Sequence, residues 1–174
     1  MVVRKKVYLS LGSNMGDREA NLRKALRALH SDDFRIERVS STWETAPMYL
    51  SDQPDFLNIV AEADTTIFPM RALLRAAKIE RDMGRRRMTP NGPRVIDIDL
   101  LLFGRFVMDT PQLKLPHPRM AERRFVLEPL AELVPDLRHP VTGKSVREML
   151  VAVSDQLVRV LPGRLPAPAD ARQM

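Results

Sequence analysis

The chain has no cysteine, which removes disulfides and thiolate metal ligands from consideration. Aromatic residues are scarce, with one Trp, two Tyr and six Phe in 174 residues. That is a weak basis for the stacked faces that hold single-stranded nucleic acid. No apolar run is long enough to span a bilayer. The opening "MVVRKKVYLSLG" alternates like a strand, unlike the apolar stretch of a signal peptide. A soluble, cytoplasmic protein is the expectation. The phosphate-cradling patterns GxxxxGKS/T and GxGxxG are both missing. Any bound phosphates must therefore be held by side chains and metal, not by a glycine-rich loop. The early "GSNMGD" reads as a simple strand-to-helix turn.

What is present is basic and well supplied with apolar residues. The 28 Lys and Arg outweigh 22 Asp and Glu, and 44% of the residues are hydrophobic. One compact domain with a full core and an anionic partner fits these numbers. Alternation in "KKVYLSLG" predicts a strand. "GDREANLRKALRALH" predicts a helix capped by Asp17, with Leu22, Ala25, Leu26 and Leu29 on one face. "FRIERVSSTWET" and "FLNIVAEADTT" read as a second and third strand. A helix from Pro69 to Gly84 follows, with Leu73, Leu74, Ala77 and Met83 as its apolar stripe. "RVIDIDLLLF" is a fourth strand.

Strand, helix, strand, strand, helix, strand is the α+β, ferredoxin-like βαββαβ order: an antiparallel sheet with helices packed on one face, here with C-terminal additions. Two short helices are expected in those additions, around "RFVLEPLAEL" and "SVREMLVAVSDQL". Residues 1–160 form a single domain, and the Pro- and Ala-rich tail 161–174 is expected to be mobile.

The segment "NGPRVIDIDLLLFG" sets two carboxylates, Asp97 and Asp99, inside the most apolar stretch of the chain. In a strand both point to the same face, whereas on a helix they would diverge by about 200°. Two like charges so close need a cation between them, and Mg²⁺ completed by substrate phosphates is the natural one. A solvent-facing pair bonded to Arg87 or Arg94 is the plainer alternative. The crowd of Arg85, Arg86, Arg87 and Arg94 beside the pair favours a polyphosphate site.

These residues resemble a known family. "GPRVIDIDLLLFG", "YLSLGSNMGDREANL", "TAPMYLSDQPDFLN", "IERDMGRRR" and "LPHPRMAERRFVLEPL", in this order, resemble the 6-hydroxymethyl-7,8-dihydropterin pyrophosphokinases of folate biosynthesis. The resemblance implies transfer of pyrophosphate from ATP to the pterin's hydroxymethyl oxygen, with release of AMP. It implies two Mg²⁺ ions on Asp97 and Asp99, with Arg85 and Arg94 as further catalytic groups. ATP contacts fall to Glu80, Arg85, Arg87, Arg94, Ile98, His117 and Arg123. Pterin contacts fall to Thr45, Ala46, Pro47, Met48, Asn58 and a sandwich of Phe56 and Phe125. Asn91 stands where the family often carries a Trp. A monomer binding ATP and the pterin, with no nucleic acid and no membrane, is the expectation. The rivals are a metal-dependent nuclease or nucleotidyl transferase, a basic ferredoxin-like nucleic-acid-binding module, and a non-catalytic homologue.

Overall fold

The structure, a computed structural model, describes residues 3–47, 52–84 and 91–168. Strand β1 (Lys5–Ser13) leads into helix α1 (Arg18–Leu29), followed by β2 (Phe34–Val39), β3 (Ser41–Thr45) and β4 (Phe56–Thr65). Helix α2 (Pro69–Asp82) and strand β5 (Asp97–Phe103) complete the expected core. Beyond it come a small hairpin, β6 (Met108–Asp109) with β7 (Lys114–Leu115), then α3 (Arg124–Leu133), α4 (Val146–Val151) and β8 (Arg159–Arg164). The main sheet runs β5-β1-β4-β3-β8, with β2 also on β4, and every pairing is antiparallel.

Local chemistry explains most boundaries. Asp17 caps α1 by accepting from the Ala20 N–H at 3.0 Å, and Leu22, Ala25, Leu26 and Leu29 are all buried. Pro69 opens α2, where a missing N–H costs nothing, and Gly84 leaves it at φ +94°. The apolar stripe of α2 is rotated from the sequence expectation. Ala72, Ala76 and Ile79 are buried, while Leu74 is 63% exposed and Leu73 and Ala77 are only half-buried. Small alanines let the helix approach the sheet closely, and that close approach outweighs the larger leucines.

The run expected as one second strand is two. At Ser40 the backbone N–H donates to the Val60 carbonyl, and the Ser40 hydroxyl accepts the Val60 N–H, both at 2.9 Å. A side chain thus replaces one rung of the ladder, and β2 and β3 pair separately with β4.

The core helices α1 and α2 share one apolar cluster with Val7, Leu9 and Leu11 of β1. The additions α3 and α4 cover the other face, packing Val126, Leu127, Leu130 and Met149 against Tyr8, Val60, Leu101 and Leu102. A sheet covered on both faces explains why β1 and β4 are buried almost continuously instead of alternating. One buried charge group lies beneath α3. Glu62 accepts from Tyr8 Oη at 2.8 Å and from Arg38 at 2.7 and 3.1 Å, and Arg38 also donates to the Leu133 carbonyl at the end of α3.

The segment after residue 160 departs from expectation. Strand β8 extends the sheet through Arg164, and Leu165 and Ala167 enter the first core cluster at 5% exposure each. Leu165→Ala is therefore expected to cost about 2–4 kcal/mol in denaturant unfolding, as for other buried leucines. A mobile tail would give no change in the midpoint.

Candidate active site

The antiparallel register sets functional residues in rows across the sheet. Asp97 pairs with Gly12, and Gly12 with Asn58; Asp99 pairs with Ser10, and Ser10 with Val60. These rows sit at the end of the second face that α3 leaves open. There a cleft of about 280 Å³ is lined by Ser10, Gly12, Asn58, Asp97 and Asp99 on its floor. Its walls are Thr45, Ala46, Pro47, Gln53, Phe56, Asn91, Arg94, His117, Arg123 and Phe125.

One end of the cleft is built for a flat polar ring. Asn58 is buried, and its Nδ2 donates to Thr45 Oγ1 at 3.1 Å, which fixes the amide's orientation. Its Oδ1 then faces Gly12, where an added Cβ would lie only 3.1 Å away. Gly12 is thus the open floor between the Asn58 amide and the Asp97 carboxylate. Phe56 stands at this end, its ring 3.6 Å from where a Gly12 Cβ would lie, while Phe125 lines the cleft beside Arg123.

The other end gathers charge. Arg94 donates to Asp97 Oδ2 at 2.8 Å. Asp99 lies deep in the cleft, although 34% of its side chain still meets solvent there. Desolvation and then the neighbouring Asp97 charge raise its pKa to about 7, against the opposing pull of Arg123. His117 Nε2 is 3.9 Å from Asp99 Oδ2. Burial and the Arg123 charge lower the His117 pKa to about 4, so the ring is neutral at pH 7. Its Nδ1 accepts the Arg119 backbone N–H at 3.1 Å, which leaves the ring proton on Nε2, aimed toward Asp99. The Arg123 guanidinium stacks 5.6 Å from the Phe125 ring centre, and its buried Nε has no hydrogen-bond partner among the described residues.

A cation fits this end. Burial first, and then the Asp97 charge one row away, work against the ionised Asp99 carboxylate, and a bound cation would offset both. Among the described residues no three His, Cys, Asp or Glu side chains cluster as a complete metal cage. Two carboxylates completed by waters and substrate oxygens are the Mg²⁺ pattern, and an orphaned arginine donor beside them suits an anionic ligand.

A profile described as 7,8-dihydro-6-hydroxymethylpterin-pyrophosphokinase matches residues 8–135. The chain belongs to this family. It is 43% identical over 150 residues to the 2-amino-4-hydroxy-6-hydroxymethyldihydropteridine pyrophosphokinase of Bacillus subtilis, covering 86% of this chain and 90% of that one. The protein of the same name from Pseudomonas aeruginosa is 41% identical over 159 residues, or 91% and 98% of the two chains. The "Folic acid synthesis protein fol1" of Pneumocystis carinii is 38% identical over 157 residues. These are 90% of this chain but only 21% of that protein, so the chain spans about a fifth of that longer relative. In three dimensions, Plasmodium falciparum HPPK-DHPS solved with pteroate superposes with a TM-score of 0.70 at 16% identity, over 86% of this chain and 42% of that one. That likeness establishes the shared ferredoxin-like fold.

Within this pyrophosphokinase fold, most residues singled out in the sequence converge. Thr45, Ala46, Pro47, Phe56, Asn58, Arg94, Asp97, Asp99, His117, Arg123 and Phe125 all line the one cleft. Met48, Arg85 and Arg87 lie outside the described residues. Glu80 and Ile98 do not line it. The buried Glu80 carboxylate instead accepts the Ile98 N–H at 2.9 Å, tying α2 to the outer edge of β5, and the Ile98 side chain belongs to the core. Four lining residues were not anticipated as ligand contacts: Ser10, Gly12, Gln53 and Asn91. Ser10 and Gly12 alternate along β1 as Asp97 and Asp99 do along β5. Pairing those two strands in register would have found them.

The raised Asp99 pKa makes a signed prediction. The folded protein pays for a charged Asp99 once the pH passes from the ordinary 3.8 toward 7. Asp99→Asn should therefore melt above the wild type at pH 8 without metal, and the gain should vanish below pH 4. Millimolar Mg²⁺ with a non-hydrolysable ATP analogue should raise the wild-type melting temperature more than that of the variant. Equal melting temperatures at pH 8 would contradict the assigned cause.

Proposed function

We propose that this chain transfers the pyrophosphoryl group of MgATP to the hydroxymethyl oxygen of 6-hydroxymethyl-7,8-dihydropterin, releasing AMP, a step in folate biosynthesis. The observation that carries this reading is one continuous cleft with an amide-and-aromatic end and a carboxylate-and-cation end, joined across Gly12. Membership of the family and the printed names of the Bacillus and Pseudomonas relatives support it.

Asn58 and Thr45 offer buried hydrogen bonds to the pterin's amide and amine edges, and Phe56 and Phe125 stack on its faces. Ala46 and Pro47 line the same cleft, and the family resemblance adds backbone groups of Thr45 and Met48 as pterin contacts. From Asn58 to Asp97 is two strand spacings, about 10 Å, which suits a bicyclic ring carrying a one-carbon arm toward the phosphates. The bare Gly12 leaves that path open.

The hydroxyl oxygen attacks the β-phosphorus, the bond from that phosphorus to the oxygen bridging the α-phosphate breaks, and AMP leaves with that oxygen. Two Mg²⁺ ions held at Asp97 and Asp99 would neutralise the phosphate oxygens and orient the leaving group. The chain's own part is to position and to donate. Arg94, the Arg123 Nε–H and the Nε2–H of neutral His117 are preorganised donors on the phosphate side; Arg85 and Arg87 are added to the phosphate-binding groups by the family resemblance alone. Glu80 acts from behind by holding β5 at Ile98, whose backbone is the part of it available to the nucleotide. The chain works as a monomer on these two substrates.

Product analysis tests the reading. With MgATP, AMP should accumulate only when the pterin is added, and Asp97→Ala should slow it by about 10³-fold, as expected for loss of a charge-stabilising group. ADP as product, or AMP without pterin, would sink the proposal. Gly12→Ala should raise KM for the pterin about 10-fold while leaving KM for ATP within a factor of two, since one methyl intrudes at the ring end. An unchanged pterin KM would place the ring elsewhere.

A further inference from the structure

The turn after β1 does more than reverse the chain. Asn14 is 1% exposed and lies behind the cleft wall, lining none of it. Its backbone N–H donates to the Arg94 carbonyl at 3.0 Å, and its Oδ1 accepts the Arg94 N–H at 2.7 Å. Both backbone polar groups of Arg94 are therefore held by one residue. The Asn14 Nδ2 spends its two protons on Gln53 Oε1 at 2.9 Å and the Pro54 carbonyl at 3.0 Å. Gln53 in turn donates to the Asn91 carbonyl at 2.9 Å, closing the link between the segments on either side of the cleft.

The anchor is itself rigid. Asn21 of α1 donates to Ser13 Oγ at 3.2 Å and to the Met15 carbonyl at 2.8 Å. Arg18, four residues after Asn14, donates to the Asp55 carbonyl at 2.9 Å and pairs with Glu44 at 2.8 Å. Two consecutive carbonyls ahead of Phe56 are thus gripped from one turn. The task at position 14 needs one acceptor and two donors on a short planar group. Aspartate lacks the donors, serine lacks the reach, and alanine lacks both.

We propose that Asn14 is a positioning residue for the transfer reaction, holding the Arg94 backbone and the 53–55 segment at a fixed spacing so that the phosphate and ring ends of the cleft stay in register. The inference rests on the function proposed above. Arg94 meets Asp97 through its side chain, while Asp97 is already fixed to Gly12 through β1. Asn14 closes that loop by fixing the other end of Arg94 to the same strand. A displacement of about 1 Å in such a constellation costs on the order of 100-fold in rate.

The test is a double-mutant cycle on AMP formation with Asn14→Ala, Arg94→Ala and the pair, read as kcat and as KM for each substrate. Asn14→Ala is expected to lower kcat on the order of 100-fold, with both KM values within about 5-fold. In the Arg94→Ala background the same substitution should cost less than about 5-fold, because the group it positions is gone. Full additivity, or a loss confined to KM, would overturn the proposal. Where Asn14→Ala fails to fold, Asn14→Asp carries the test, since it keeps the acceptor for Arg94 and loses both donors. It should then show a smaller kcat loss and faster exchange at the Gln53 and Asp55 amides, but not at Arg94. Uniformly faster exchange would mark Asn14 as a general stabiliser and overturn the inference. Failure of the wild type to release AMP would sink the proposed reaction instead. The anchor would then stand or fall on whether Asn14→Ala speeds exchange at the Arg94 amide.

Discussion

Two carboxylates fixed side by side repel one another, and the working end of this molecule is organised around that repulsion. Register fixes Asp97 and Asp99 on one face of β5, because β5 is paired along its length with β1. Neither residue can turn away without breaking the ladder. Arg94 answers Asp97 directly, whereas burial first and the Asp97 charge second raise the pKa of Asp99. The same surroundings keep His117 neutral and leave an Arg123 donor unspent. Burial and mutual repulsion make such a site destabilising, a common trade between stability and activity.

The rest of the fold supplies the rigidity that this arrangement demands. Helices α1 and α2 seal one face of the sheet, and α3 and α4 seal most of the other. A buried Glu62 held by Tyr8 and Arg38, and Glu132 of α3 accepting from Ser41, Trp43 and Arg164, tie the covering helix down. Because α3 stops short, a strip of sheet remains open at one end. On that strip β5 and β1 contribute cleft-lining positions to both rows, Asp97 with Gly12 and Asp99 with Ser10, and β4 adds Asn58 to the first. Catalytic groups carried on strands are held more tightly than groups on loops, and the loops that close the walls are themselves latched through Asn14 and Gln53.

Much of this was legible in the residues. The order of elements, the Asp17 cap, the proline start of α2 and the shared face of Asp97 and Asp99 all follow from local rules about period, capping and alternation. The family motifs then named most of the cleft's lining. Three features were not legible, each for a definite reason. The period of α2 allows more than one apolar stripe, and packing on the sheet selects Ala72, Ala76 and Ile79. The tail read as mobile because Pro and Ala lack strong strand propensity, yet pairing to β3 and burial of Leu165 order it through residue 168. The Glu80 carboxylate accepts the Ile98 N–H, a partner 18 residues away that no local pattern reveals.

By itself, then, the sequence determined the order of the ferredoxin-like core and the carboxylate pair, since each depends on residues near one another in the chain, and the family motifs supplied the expected lining of the cleft. Tertiary structure alone decided which residues face one another across strands. Gly12 became the open floor between Asn58 and Asp97 only through the β5-β1-β4 register. Asn14 became an anchor for Arg94, 80 residues away, only through long-range hydrogen bonds. Local patterns report the periodicity of one segment, and they carry no information on which segment will lie beside it.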